Sequence, residues 1–386
     1  MAEHQDASGD DPVLPAYGCS SLAELLPAVA ARCGTPGYTD QLDLPAAASW
    51  VVLLVDGLGA QLLDQHAADA PYLASLRGRP LLTSGVPSTT ATSITSLGTG
   101  LVPGRHGVVG YTSRIPGTLT LLNALTWAGP VDPVDPVEWQ PHRTVFGAMR
   151  AAGSVASVVS RASFLGSGLT SVSQRGALYV GADSAWERIE YAAEAAKQPA
   201  SLTYTYEARL DHTGHELGCR SAEWLTALRR IDDEAQALRA ALPAGTGLVV
   251  TGDHGMTDVP DDDRIDADTE PGLRDGVVLL GGEGRFRHLW TVAGATEDVT
   301  ATWRAVCGDR AWVLTREEAE AAGWFGPVDV AVRPRIGEVL VASRGTSAVL
   351  ASQQFPREAR MRGFHGSLSP AEMLVPLLVD VVEDAG

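Results

Sequence analysis

Trp50-Val51-Val52-Leu53-Leu54-Val55-Asp56-Gly57 is the run from which the architecture can be read. Six apolar residues in succession leave no polar side for solvent, as expected of a parallel strand covered on both faces, and the run stops at an acid followed by glycine. Open α/β sheets bind ligands beyond the carboxyl ends of their strands, so Asp56 stands where a site is built. Gly57-Leu58-Gly59 is only a fragment of a dinucleotide fingerprint, because position 62 is Leu and not the third glycine.

Outward from this strand the pattern repeats. Buried strands are predicted at 155–159, 201–206 and 247–251, the last ending in Gly252-Asp253-His254-Gly255. Between them Trp224, Leu228, Ile231, Ala235, Leu238 and Leu242 keep the three-four spacing of an amphipathic helix that Pro243 stops. A shorter helix is expected over 144–152, closed by Gly153. Upstream, Ser21 and Glu24 form a capping-box start ahead of Leu22, Leu25, Leu26 and Val29. Strands alternating with helices indicate an α/β fold with a mostly parallel sheet covered on both sides. Residues 1–18 read as a flexible arm, and 112–145, with several prolines, Trp127 and Trp139, as a long surface excursion.

Near Val259 the composition changes. The acidic loop Asp261-Asp262-Asp263 leads into strand patterns at 286–292, 312–314 and 338–341 and helix patterns at 297–306 and from Glu317. The core pattern then returns. Ser369, Pro370 and Glu372 look like a helix start, and 373–379 is a buried element. The expected division is a core over 19–258 and 361–386, with 259–360 inserted as a small α+β unit whose Arg285 and Arg287 read as exposed basic residues.

The 386 residues carry a formal charge of −18, and no Lys/Arg-rich run exists to grip a polyanion, so a nucleic-acid polymer is not an expected partner. An anionic substrate would need a local positive centre. Cys19, Cys33, Cys219 and Cys307 are scattered without a CxxC pair, which suits a reducing cytoplasm and excludes a thiolate zinc site. No apolar run has membrane-spanning length, and the acidic N-terminal residues Glu3, Asp6, Asp10 and Asp11 lack the features of a secretory leader.

The chemistry gathers in separate places. Val86-Pro87-Ser88-Thr89-Thr90-Ala91-Thr92-Ser93-Ile94-Thr95-Ser96-Leu97-Gly98-Thr99-Gly100 is crowded with hydroxyls. Ala91, Ile94 and Leu97 suit one apolar side of a short helix that Gly98 or Gly100 would stop, leaving a hydroxyl at an N-terminus that favours anions. Thr90 is the candidate nucleophile, although the stretch taken by itself reads more readily as a capped loop than as a catalytic one. Asp56, Asp211, His215, Asp253, His254 and His365 stand at or beyond strand ends beside glycines. Three carboxylates and three imidazoles without thiolates suit two divalent ions, zinc first, with manganese or iron(II) also compatible. Two such ions against three aspartates leave about +1, which supplies the missing positive centre. His4, His66, His106, His142, His212 and His288 are read as surface or structural residues.

The ordered set resembles the alkaline phosphatase superfamily, and within it the nucleotide pyrophosphatase/phosphodiesterase branch. It is carried by Val55-Asp56-Gly57, the segment from Pro87 to Gly100 with Thr90, His106-Gly107, Asp211 with Gly214-His215, Gly252-Asp253-His254-Gly255 and Gly363-Phe364-His365-Gly366. The resemblance implies an αβα sandwich around a mostly parallel sheet, with the insertion as a cap. It also implies one ion on Asp211, His215 and His365, another on Asp56, Asp253 and His254, and Thr90 between them. The implied reaction is metal-assisted attack by Thr90 on phosphorus, a phospho-threonine intermediate and its hydrolysis. Where that branch places Asn after the His-Gly pair this chain has Gly110-Tyr111-Thr112, and Tyr111 is the candidate contact for the organic group of a phosphodiester or pyrophosphate. Phosphomonoester or phosphonate hydrolysis, and a non-catalytic metal-binding scaffold, are the alternatives.

Overall fold

The alternating pattern becomes two main sheets, accompanied by four two-stranded pairs, in a computed structural model that describes residues 11–129 and 133–381. Ser49–Val55 (β1), Ala156–Ser160 (β2), Leu178–Gly181 (β3), Leu202–Glu207 (β4) and Thr246–Gly252 (β5) are parallel. Val277–Glu283 (β6), Phe286–Thr291 (β7), Ala311–Thr315 (β8) and Val339–Ser343 (β9) make a separate antiparallel sheet in the order β6-β7-β9-β8. Leu378–Val381 (β10) then joins the first sheet antiparallel to β5. The main order is β10-β5-β1-β4-β2-β3, so β1 lies between β4 and β5, and the strand order reverses around it.

Burial on both faces explains the unbroken apolar run of β1, because successive side chains point to opposite sides. Val51, Leu53 and Val55 pack with Trp224, Leu228, Ile231, Ala235 and Leu238 of the helix that runs over Ala222–Ala241. Trp50, Val52 and Leu54 pack with helices Leu22–Arg32 (α1), Thr90–Thr99 (α2) and Val145–Ala151 (α3). The result is a three-layer αβα sandwich. Truncating such a strand residue, Leu54→Ala for instance, costs about 2–5 kcal/mol through lost transfer energy and the cavity left behind. Among the described residues no helix is long and apolar enough to cross a membrane.

Several sequence readings need correction. Residues 1–10 of the expected arm lie outside the described residues, but 11–18 hold to the core: Val13 donates to the Leu368 carbonyl at 2.8 Å and Tyr17 to that of Trp324 at 3.0 Å. The excursion at 112–145, apart from 130–132 outside the description, includes the paired strands Thr112–Arg114 and Leu121–Asn123 and a buried Trp139. Its aromatic and aliphatic residues pack under α2 with Ala91, and this nonlocal contact leaves no periodic signature. Arg285 and Arg287 are fully buried, paired with Glu372 and Glu358. Glu372 consequently serves Arg285 and the Ser367 amide, and the helix Pro370–Met373 is a single turn without a side-chain N-cap bond to its backbone. Strand β6 was not anticipated, its apolar run being short and broken by Gly281 and Gly282.

Candidate active site

Three strand ends meet where the sheet order reverses. Asp56 follows β1, Asp253 and His254 follow β5, and β4 leads into helix Arg209–Leu217, which carries Asp211 and His215 one turn apart on one side. Their strand-end position in the sequence reading is therefore replaced by a helical one. The Asp211 amide donates to the Asp56 carbonyl at 3.1 Å, joining the two strand ends directly. Gly57 has φ +78°, and a Cβ there would lie 3.1 Å from the Asp211 Cα, so the turn after Asp56 needs glycine. His365 arrives from the strand Gly363–Phe364, which pairs with Thr257–Asp258.

Two groups of possible metal ligands result: Asp56, Asp253 and His254, and Asp211, His215 and His365, with the ligand atoms of each group within 4.8 Å of one another. In all three imidazoles Nδ1 lies beside a carbonyl: Gly255 for His254 at 3.0 Å, Gly363 for His215 at 2.8 Å and Ser88 for His365 at 3.0 Å. A carbonyl only accepts, so Nδ1 carries the proton and Nε2 keeps its lone pair toward the centre. His365 Nε2 and His215 Nε2 face each other at 3.2 Å, two lone pairs that a cation would reconcile. Buried Asp211 Oδ1 and Asp253 Oδ2 have no hydrogen-bond partner. Burial and neighbouring carboxylates raise Asp56 well above the usual carboxylate range; burial chiefly raises Asp253 as well. Burial and the other imidazoles push His365 well down. Clustered carboxylates, aligned lone pairs and unpartnered oxygens fit divalent cations.

Thr90 opens α2 beside the first group, its Oγ 3.2 Å from His254 Nε2 and 3.5 Å from Asp56 Oδ1. All of α2 is buried, which the apolar side expected from Ala91, Ile94 and Leu97 did not foresee. Several of its hydroxyls find partners, Thr95 and Thr99 donating to carbonyls one turn back and Ser93 meeting Ser84 at 2.9 Å, whereas that of Thr92 has none. Gly98 lies within the helix, where a Cβ would come 1.8 Å from the Ser173 carbonyl oxygen, and left-handed Gly100 caps the end. His106 supports this helix. Its Nδ1 accepts from the Val108 amide, its Nε2 lies 2.9 Å from Ser96 Oγ, and burial lowers its pKa to about 3.

The site floors a cavity of about 610 Å³. Tyr111 lies on its wall with Phe164, Tyr179 and Tyr206, while Phe355, Met361 and Phe364 come from later in the chain. Arg357 is the one arginine or lysine among the lining residues described. Arg105 instead pairs with Asp329. Two neighbours of the ligand groups were missed in the sequence. Tyr206 donates its hydroxyl to Asp56 Oδ2, and Glu283, at the end of β6, places Oε2 3.5 Å from His365 Nδ1. Two tyrosines alternating with threonines in the buried strand Leu202–Glu207 were the available signal, since a buried phenol seeks a partner. Glu283 sat among glycines with nothing to mark it.

The αβα architecture and the two Asp/His groups agree with what the resemblance to the alkaline phosphatase superfamily implied. The profile of the type I phosphodiesterase / nucleotide pyrophosphatase family matches residues 50–368, and the chain belongs to that family, which places it among phosphoester hydrolases. Among solved structures, murine ectonucleotide pyrophosphatase / phosphodiesterase 5 is similar with a TM-score of 0.67 and 18% identity, over 86% of this chain and 87% of that one. Phosphonoacetate hydrolase from Sinorhizobium meliloti 1021, in complex with phosphonoformate, is similar with a TM-score of 0.62 and 21% identity, over 89% and 92%. At these identities the likeness is one of fold. No curated protein matches the sequence.

Proposed function

We propose that this protein hydrolyses phosphodiester or pyrophosphate bonds in small nucleotide-type substrates, with Thr90 as nucleophile and a phospho-threonine intermediate. The observation that carries the reading is the position of Thr90 Oγ at the N-terminus of α2, against one Asp/His group and above a cavity shared with the other. Asp56, Asp253 and His254, with Thr90 Oγ, would hold one divalent ion; Asp211, His215 and His365 would hold the second. Carboxylate and imidazole donors suit zinc. Such ions, when bound, supply Lewis acidity that lowers the hydroxyl pKa of Thr90 and offset the charge of the phosphoryl group.

The chain's own residues supply the rest. First-turn amides of α2 have no carbonyl partner within the helix and can meet a phosphoryl oxygen. Thr90 Oγ gives its proton to solvent and attacks in line; the Oγ–P bond forms as the bond to the leaving oxygen breaks, and that oxygen takes a proton from solvent. Water then attacks phosphorus and returns the Oγ proton, releasing the second product. A monoester dianion would bring one more charge than a diester into a cavity where Arg357, the one arginine among the described lining residues, is exposed. Aromatic walls offer contact to a second organic group, Tyr111 among them. Residues 259–360 contribute Glu283 and the 354–358 wall, which supports a role for this unit in substrate choice. Four free cysteines suit a cytoplasmic setting.

The test is zinc content after reconstitution together with kcat/KM for bis-p-nitrophenyl phosphate and p-nitrophenyl phosphate. The expected result is two ions per chain and a diester preference. A monoester preference of about tenfold, or 1.4 kcal/mol in transition-state stabilisation, would overturn the diester assignment.

A further inference from the structure

The two carboxylates of the inner group, the fully buried set Asp56, Asp253 and His254, each have one oxygen already engaged. Asp253 Oδ1 accepts the Gly57 and His254 amides, both at 3.1 Å, which leaves Oδ2 pointing to the centre, 3.6 Å from His254 Nε2. Asp56 Oδ1 lies 3.4 Å from His254 Nε2 and 3.5 Å from Thr90 Oγ, while Oδ2 takes the hydroxyl of Tyr206. A backbone segment holds Asp253, whereas a single side chain holds Asp56. Tyr206 also lines the cavity and meets the Phe164 ring edge-on at a centroid distance of 6.2 Å.

We infer that Tyr206 is the positioning residue of the metal centre: its hydroxyl occupies Asp56 Oδ2, so that Asp56 offers one oxygen, Oδ1, on the side of Thr90. Partners behind a ligand fix its orientation, and their loss characteristically weakens metal binding by about 10- to 100-fold. The wall available to the substrate's organic group thus also orders the inner ligand set. This rests on the metal-site reading above.

A control lies two residues away. Tyr204 occupies the same strand and also borders the cavity, but it is 1% exposed and its hydroxyl has no hydrogen-bond partner. Its ring packs in the core, edge-on to Phe146.

The experiment compares the parent, Tyr206→Phe and Tyr204→Phe as full chains loaded with zinc or cobalt(II). In Tyr206→Phe one of two zinc ions should pass to a chelator about tenfold faster or more, and kcat should fall with KM held within about threefold. The visible cobalt spectrum, which reports the ligand arrangement, should change in the same variant. Tyr204→Phe should match the parent in both metal readouts. Parent-like zinc release and cobalt spectrum in Tyr206→Phe would overturn the inference, as would equal changes in Tyr204→Phe. A parent that takes up neither ion would overturn the metal reading itself, and this inference with it.

Discussion

The inner and outer ligand groups use the same residue types but are held differently. Asp56, Asp253 and His254 have side chains at most 5% exposed, and their second atoms are fixed by Tyr206, by the Gly57 and His254 amides and by the Gly255 carbonyl respectively. Asp211 and His215 are 14% and 17% exposed on a helix that borders the cavity, and their partner His365 comes from a distant segment. Thr90 Oγ offers a fourth donor beside the inner group alone. A site with four protein donors is closed, whereas three leave a position for an outside oxygen. On the proposed reading, burial and the added Thr90 oxygen would divide similar chemistry: one group would activate the nucleophile and the other would receive solvent or substrate.

The strongest attempt to break this division is Thr90→Ala. It should lower kcat/KM on the order of 10⁴-fold with the fold intact by circular dichroism, while Thr90→Ser keeps a measurable part. If Thr89→Ala were inactive and Thr90→Ala active, the nucleophile would be one residue earlier than assigned.

Next come the ligands. Asp253→Asn and His215→Ala should each cost roughly a thousandfold and leave one zinc per chain, because each removes a direct donor. The contrast in burial predicts that added zinc restores activity in His215→Ala far more than in Asp253→Asn. Equal recovery, measured as rate against free zinc, would erase the distinction between the groups.

Both groups share a support. Arg285 is buried against Glu372, whose backbone carbonyl accepts the Gly255 amide and whose side chain accepts the Ser367 amide, next to His254 and His365 respectively. Arg285→Ala leaves a buried carboxylate unpaired and should destabilise by about 3 kcal/mol in denaturant melts. A loss below about 1 kcal/mol would mean that water already serves this pair.

Tyr111 offers the smallest effect and sharpens the assignment of the open side. Tyr111→Ala should reduce the diester kcat/KM about threefold to tenfold with little change for the monoester, and Tyr111→Phe should reduce it less, since the ring is the expected contact. An equal loss for both substrates would place Tyr111 in packing.

Much of this arrangement was legible in one dimension because it rests on local or periodic features. The apolar run at 50–55 could only be a strand buried twice, the spacing from Trp224 to Leu238 could only bury one stripe, and Ser21 with Glu24 does form the capping box. Asp56, Asp253 and His254 were visible as polar residues ending apolar strands, and the structure brings them together. Tertiary structure alone decided what depends on nonlocal contact. Arg285 and Arg287 read as surface cations because a buried guanidinium is recognised only by its carboxylate, and Glu372 and Glu358 lie 87 and 71 residues away. Trp139 read as part of a loose excursion because Ala91 and Val108, with which it packs, belong to other segments. The hydroxyl of Tyr206 meets Asp56 across 150 residues, through the parallel pairing of β4 with β1. Sequence specifies which groups must be buried and which must be polar; the partner that makes a buried polar group tolerable is chosen only when the strands come together.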